Sequence, residues 1–236
     1  MPEHATASPR VRSEEIARDG TGVHAVQLAH PNPVRGRINA TFFQCMDWYM
    51  HWKYGALKRA LFAELPDTIV ELGAGTGANF RYLKPGTKVI AVEPNHHMHS
   101  ALRRAARRHD VELDIRSAGA EAIELESGSV EAVVCSLVLC TVEDPAEVMG
   151  EVKRVLAPGG RFLCLEHVTA APTSLVARVQ RWVLRPWQWF FEGCHTHRDT
   201  GTLLRGAGFS DVRIEPFTLS TAFVPIRPHI LARCVR

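Results

Sequence analysis

Five short apolar runs, at 68–72, 88–92, 111–115, 131–136 and 161–166, alternate with stretches of helical character at about 78–83, 96–109 and 144–156. The runs are rich in Val and Ile and lack the polar alternation of a half-exposed strand, so they predict strands buried on both faces. "DPAEVMGEVKRVL" starts a helix well, with Asp144 as cap and Pro145 in the first turn. "APGG" then turns the chain into the next strand. Such alternation predicts an α/β, doubly wound, Rossmann-like sheet. Ligands of these sheets lie at the carboxyl ends of the strands, near the switch point.

The turn after the first strand lies at that point. "IVELGAGTGANF" leads from Ile69 through Gly73-Ala74-Gly75-Thr76-Gly77-Ala78 to Phe80. It fits G-x-G-x-x-A, a dinucleotide fingerprint. It fits equally a G-x-G-x-G turn preceded by an acid, Glu71, which suits S-adenosylmethionine. Glu93 ends the second run, 20 residues beyond Gly73, where an acid can bind both hydroxyls of a ribose. That placement serves either cofactor. Glu71 discriminates better, because a carboxylate beside the turn opposes a pyrophosphate and suits a ligand carrying a sulfonium and an ammonium. Little chain is left for the separate substrate domain of an NAD-dependent oxidoreductase. That activity, and a cofactor-binding module without catalysis, are the alternatives from other classes.

The successive stretches "VELGAGTG", "VIAVEPN", "AGAEAIELESGSVEAVVCSLVLCTVEDP" and "EVKRVLAPGGRFLCLEHV" resemble the ordered motifs of class I S-adenosylmethionine-dependent methyltransferases over about residues 67–170. The resemblance implies a seven-stranded sheet with the last strand antiparallel. By position it puts Glu71, Gly73, Gly75 and Gly77 at the methionine end of the cofactor and Glu93 on the ribose. Asn95, His96, Ala120 and Glu121 would border the adenine, with Gly119 standing where the family often has Asp. Cys135 and Ser136 would offer backbone carbonyls to the cofactor ammonium. "FEGCHTHRDT" and "RPHILARCV" extend the likeness to the methyltransferase-like 7 group, which is associated with methylation of small alkyl thiols. Three parts follow: a disordered leader at 1–30, an N-terminal helical lid at 31–66, and a methyltransferase domain at 67–236 with a substrate-side insertion at about 170–198. Members of the narrower group usually begin with a hydrophobic anchor. The polar leader here predicts no membrane attachment.

The expected reaction is methyl transfer to a small acceptor, first a thiol. O- or C-methylation of a quinone, polyketide or other aromatic metabolite is the alternative. His195, with Arg198 beside it in "EGCHTHRD", and His167 at the end of the fifth run are the candidates for taking a proton or steadying a thiolate. Cys194 is read as pocket wall, and His229 as a packed or capping residue. Trp48, Tyr49, Trp52, Trp182, Trp187 and Trp189 could roof an apolar pocket or belong to the core. His96, His97 and His99 crowd one helix start without supporting ligands, so no metal is expected. A formal charge of +3, with Arg103, Arg104, Arg107 and Arg108 spaced as a solvated helix face, gives no reason for a nucleic-acid partner. Six cysteines without a C-x-x-C pair, and no secretory signal, suit the cytoplasm.

Overall fold

The computed structural model describes residues 33–236, so the expected leader at 1–30 lies outside the described residues. Seven strands form one sheet: β1 (Thr68–Leu72), β2 (Lys88–Val92), β3 (Glu112–Arg116), β4 (Val130–Ser136), β5 (Leu156–His167), β6 (Asp211–Thr218) and β7 (Pro228–Val235). Their order is β3-β2-β1-β4-β5-β7-β6. β1 to β5 pair in parallel, and β7 runs antiparallel to both β5 and β6. The last strand is therefore the reversed one, as in class I methyltransferases.

Strand side chains alternate between two cores because successive residues point to opposite faces. Val70, Leu72, Ile90 and Val92 face one core, which is completed by Val148, Met149, Val152 and Val155 of α3 (Pro145–Val155) and Leu204 of α5 (Thr200–Gly206). Ile69, Val89 and Ala91 face the other. Tyr54, Leu61 and Phe62 of α1 (Pro33–Phe62) cover it, with Leu102 and Ala106 of α2 (His96–His109). With both faces covered, continuous apolar runs are the stable solution for the central strands.

Three local features differ from the pattern in the sequence. The stretch at 78–83 forms only a short 3₁₀ turn, Phe80–Tyr82. Asn79, at its start, spends its side chain on Glu71 and Lys58 instead of capping, and Pro85 lies close behind. "APGG" does not separate α3 from the next strand. It is absorbed into β5 as a register shift against β4, with Gly159 at φ +77°. α1 passes Gly55 unbroken, although glycine weakens a helix interior. After β5, α4 (Leu175–Phe190) is capped by Ser174, whose side chain accepts from the Ala177 amide, and carries Pro186 in its interior. Among the described residues, no helix is long and apolar enough to cross a membrane.

Candidate functional site

One cavity of about 1560 Å³ lies over the carboxyl ends of β1, β2, β4 and β5, under α1 and the end of α4. Its floor begins at the glycine turn. Gly73 has φ +58° and a Cβ there would lie 2.4 Å from a methyl of Val138, so only glycine fits. Gly77 has φ +79°, and a Cβ would come within 2.6 Å of the Ala105 methyl. Gly75 differs. Its φ is +57°, yet a Cβ would meet nothing nearer than the Met98 sulfur at 3.6 Å. The protein itself leaves this place open, and it borders the cavity.

Glu93 sits beside Gly75. Its Oε2 accepts from the Gly75 amide at 2.7 Å and its Oε1 from the Asn95 amide at 2.8 Å. Each oxygen keeps a further lone pair for a ligand. Burial pushes the Glu93 carboxyl up to about 7 against the pull of those two amides. Asn95 caps α2, accepting from the His97 amide at 3.1 Å and donating to the Gly36 carbonyl at 3.3 Å. Gly73, Gly75, Glu93, Asn95, His96, Ala120, Glu121 and Ser136 all line the cavity. Glu121 also accepts from the Glu143 amide at 3.0 Å. The Ser136 hydroxyl is buried without a hydrogen-bond partner.

Gly77, Glu71 and Cys135 stand behind this wall. Glu71 Oε1 accepts from Asn79 Nδ2 at 2.7 Å, and Asn79 Oδ1 accepts from Lys58 Nζ at 2.7 Å. Asn79 and Lys58 are the members of this relay that reach the cavity. Burial drives both charged ends toward neutrality. Glu71 rises to about 7 and Lys58 falls to about 8, each partly offset by the other. Lys58 lies on α1 and nothing in its local sequence marked it. Cys135 donates its thiol to Glu166 Oε1 at 3.3 Å.

Glu166 was also silent in the sequence, apart from being an acid inside an apolar run. The same Oε1 accepts from the Val138 and Leu139 amides at 2.8 and 3.1 Å. It thereby holds the loop after β4, where Leu137 adopts φ +61°. That conformation costs a non-glycine residue about 1–2 kcal/mol. Arg198 clamps the other side of the loop, donating to the Leu139 and Val142 carbonyls at 2.5 and 2.7 Å.

A second group of polar side chains lies beyond this loop. His167, His195 and Arg198 all line the cavity, together with Cys140 and Cys194. The His195 amide donates to the Cys140 carbonyl at 2.7 Å. His195 Nδ1 lies 3.4 Å from Arg198, and burial followed by that guanidinium lowers its pKa. Both effects favour the neutral imidazole, and because a guanidinium only donates, Nδ1 accepts from Arg198 and the ring hydrogen sits on Nε2. His167 Nε2 lies 3.2 Å from the Cys194 sulfur. Burial pulls its pKa down, but Cys140 and Glu166 outweigh this and the net shift is upward. His229 packs between the Tyr54 hydroxyl at 3.0 Å and the Arg227 carbonyl at 3.1 Å, and it is not among the cavity walls. Of the six aromatics considered as a roof, Trp187 and Trp189 line the cavity. Trp48, Trp52 and Trp182 are exposed, as is most of Trp189, and Tyr49 bonds Thr221 at 2.7 Å. Phe42, Phe43, Phe191 and Phe223 supply the remaining aromatic lining.

Comparison with known proteins gives this geometry its chemistry. Residues 70–164 match the family model described as a methyltransferase domain. Over 196 residues the chain is 38% identical to thiol S-methyltransferase TMT1B of Rattus norvegicus, covering 78% of this chain and 80% of that protein. The chain belongs to the thiol S-methyltransferase family of S-adenosylmethionine-dependent methyltransferases. Thiol S-methyltransferase TMT1A of Homo sapiens is 36% identical over 191 residues, covering 76% and 78% of the two chains. A solved SAM-dependent methyltransferase from Thermotoga maritima, a possible histamine N-methyltransferase, shares the fold. Its TM-score is 0.58 at 20% identity, with 85% of this chain and 99% of that one covered. The methyltransferase's cofactor is S-adenosylmethionine. The open face of Gly75, the two-point anchoring of Glu93 and the unpartnered Ser136 hydroxyl fit such a ligand.

Proposed function

We propose that this methyltransferase methylates the sulfur of small, fairly apolar thiols. The observation that carries the reading is that the strip from Gly73 to Glu121 and the aromatic chamber ending at Cys140, His167, Cys194 and His195 are one continuous cavity. Its volume exceeds the roughly 300–1,000 Å³ of common single-ligand pockets, which suits a donor and an acceptor together. The relatives named as thiol S-methyltransferases support the choice of acceptor.

In this reading Glu93 takes the ribose hydroxyls. Asn95, His96, Ala120 and Glu121 border the adenine, with Gly119 supplying no side chain to its amine. Lys58, held by Asn79 and behind it Glu71, meets the carboxylate of the methionine end, while Ser136 and the carbonyls near Cys135 meet its ammonium. Gly77 keeps the turn closed against α2. Bound S-adenosylmethionine supplies an electrophilic methyl group. The protein's part is to align the acceptor and exclude water. His195, whose Nδ1 accepts from Arg198, points its Nε2 hydrogen to the acceptor sulfur and steadies it as thiolate, and Arg198 holds His195 and the loop carrying Cys140 in register. His167 bounds the far side. A thiol has a reference pKa of about 8.5, so modest help at neutral pH suffices. α1 and the end of α4 act as the lid. Free cysteines, five of them buried, suit a reducing compartment, and the cytoplasm is the proposed location.

Product formation from labelled S-adenosylmethionine tests the reading, with alkyl thiols set beside matched phenols and catechols. Thioether products from thiols are expected. Methylation of phenols or catechols with thiols left untouched would discard the acceptor assigned here.

A further inference from the structure

Cys140, His167 and Cys194 come from three different segments, the loop after β4, the end of β5 and the loop after α4, and all three are buried. Their donor atoms lie within 4.8 Å of one another. Cys194 Sγ is 3.2 Å from His167 Nε2, and His167 Nδ1 is buried with no hydrogen-bond partner. All three residues border the cavity. From this we infer that they form a three-ligand site for a thiophilic divalent cation, zinc in the first instance, whose fourth position takes the acceptor sulfur. The inference rests on the thiol reading above and gives that acceptor a point of attachment.

Two thiolates and one imidazole form a donor set that favours zinc over hard cations. At a Zn–S distance of about 2.3 Å, tetrahedral ligand atoms stand about 3.8 Å apart, so the cluster needs to contract by no more than about an ångström. Three protein ligands with one open position is the arrangement of a zinc site that handles substrate. The surroundings also suit metal-bound thiolates, which are supported by nearby donors. Trp187 Nε1 donates to Cys194 Sγ at 3.4 Å, and the Thr141 hydroxyl lies 3.5 Å from Cys140 Sγ. Arg198 and the His195 amide pin the segment carrying Cys140 from both sides.

On entry the acceptor thiol releases its proton to solvent, and its sulfur takes the open position as thiolate. A sulfur lone pair then forms the new S–C bond to the methyl group. The donor's C–S bond breaks and its electron pair stays on the donor sulfur. The thioether is a weaker ligand than the thiolate it replaces, so it leaves. No electron is gained or lost overall.

The test loads the purified full chain with zinc under reductant, desalts it and measures retained metal. Cobalt loading reports geometry independently of catalysis. A single zinc per chain is expected, with intense tetrahedral visible bands and thiolate-to-cobalt charge transfer in the cobalt form. Adding a small alkyl thiol should increase that charge transfer as a third sulfur enters. Cys140→Ser and Cys194→Ser should each weaken binding at least about tenfold, while the exposed His197→Ala keeps it. Failure of the wild type to retain zinc, a weak octahedral cobalt spectrum, a Cys140–Cys194 disulfide persisting under reductant, or retention by the double serine variant would overturn the site. Full thiol methylation by chelator-stripped, metal-free protein would overturn its role and leave the proposed function standing. Zinc held by a protein that neither methylates thiols nor changes its cobalt spectrum with them would remove the acceptor assignment and the fourth ligand together.

Discussion

Glu71→Gln should uncouple part of the protein's stability from pH. Glu71 is buried, one carboxylate oxygen has no partner, and burial holds its pKa near 7 against an ordinary 4.5. Below pH 4.5 the carboxyl is protonated in both the folded and unfolded chain and contributes nothing. Between 4.5 and 7 the unfolded chain releases the proton while the folded one keeps it. Folded stability therefore falls as pH rises through this window, and the loss is complete above about 7. At roughly 1.4 kcal/mol per decade of proton affinity, the displacement amounts to about 3 kcal/mol. About 2 kcal/mol of it falls between pH 5 and pH 8. The substituted glutamine can still accept from Asn79, and any cost of its extra amide protons does not vary with pH. Lys58, left without its anion, gives up its proton more readily, which adds to the same trend. The raw curve of either protein is not the readout, because His229, lowered to about 4 by burial, gains stability with rising pH between 4 and 6.5. The difference between the proteins cancels His229 and leaves Glu71 with the coupled response of Lys58. Urea unfolding of both, without ligand, at pH 5, 6, 7 and 8 should show the variant gaining on the wild type by about 2 kcal/mol across the series. Parallel curves, or a variant that loses ground as pH rises, would refute the reasoning.

The glycine turn makes a paired prediction. Gly73→Ala should lose more than about 2 kcal/mol of stability, since its Cβ collides with Val138 in a left-handed backbone. Gly75→Ala should cost only the strain of about 1–2 kcal/mol, yet weaken S-adenosylmethionine binding at least as much as Gly73→Ala does; thermal melts and calorimetry on the two variants check this order. His195→Ala should lower turnover with thiols about 10²-fold and leave cofactor affinity alone, so unchanged turnover would remove it from thiolate stabilisation. Gln180 is buried in α4, donates to the Val168, Thr196 and Pro225 carbonyls and accepts from the Ala170 amide. Gln180→Leu should therefore cost about 3–5 kcal/mol by stranding those groups, measurable as a drop in the denaturation midpoint.

Much of the fold was legible because the central strands obey one rule. Buried parallel strands need apolar side chains on both faces; 89–92 and 132–135 supply them without interruption, and 69–72 does so except at Glu71. Asp144 and Pro145 marked the start of α3 for an equally local reason. The missing helix at 78–83 was not legible. Its outcome depends on Asn79 bonding Glu71 and Lys58, the latter 21 residues away on another element. The glycine strip and Glu93 stood out because backbone conformation and ribose geometry restrict which residues can serve there. Lys58, Glu166 and the Cys140–His167–Cys194 cluster did not. Each depends on tertiary approach between segments that carry no spacing signal, and three ligands from three separate segments leave no motif. The aromatic roof was half-legible. Composition marked α1 and α4, but helix phase and Pro186 decide which rings turn inward, and they turn Trp187 in, leave Trp189 largely exposed at the cavity rim and keep Trp182 out.

The roof is tied together where Asn39 donates to the Phe190 carbonyl at 2.7 Å, and to the loop after β6 where Tyr49 meets Thr221. Between those ties Phe42 packs edge-on against Phe190 and Phe191. Ring edges slide past one another far more readily than a hydrogen-bonded sheet parts, so the roof is the side we expect to yield when ligands pass. A bulkier, greasier acceptor would grip the rings harder on the way in and linger longer on the way out, so that across a series of lengthening alkyl thiols KM should fall while kcat falls with it.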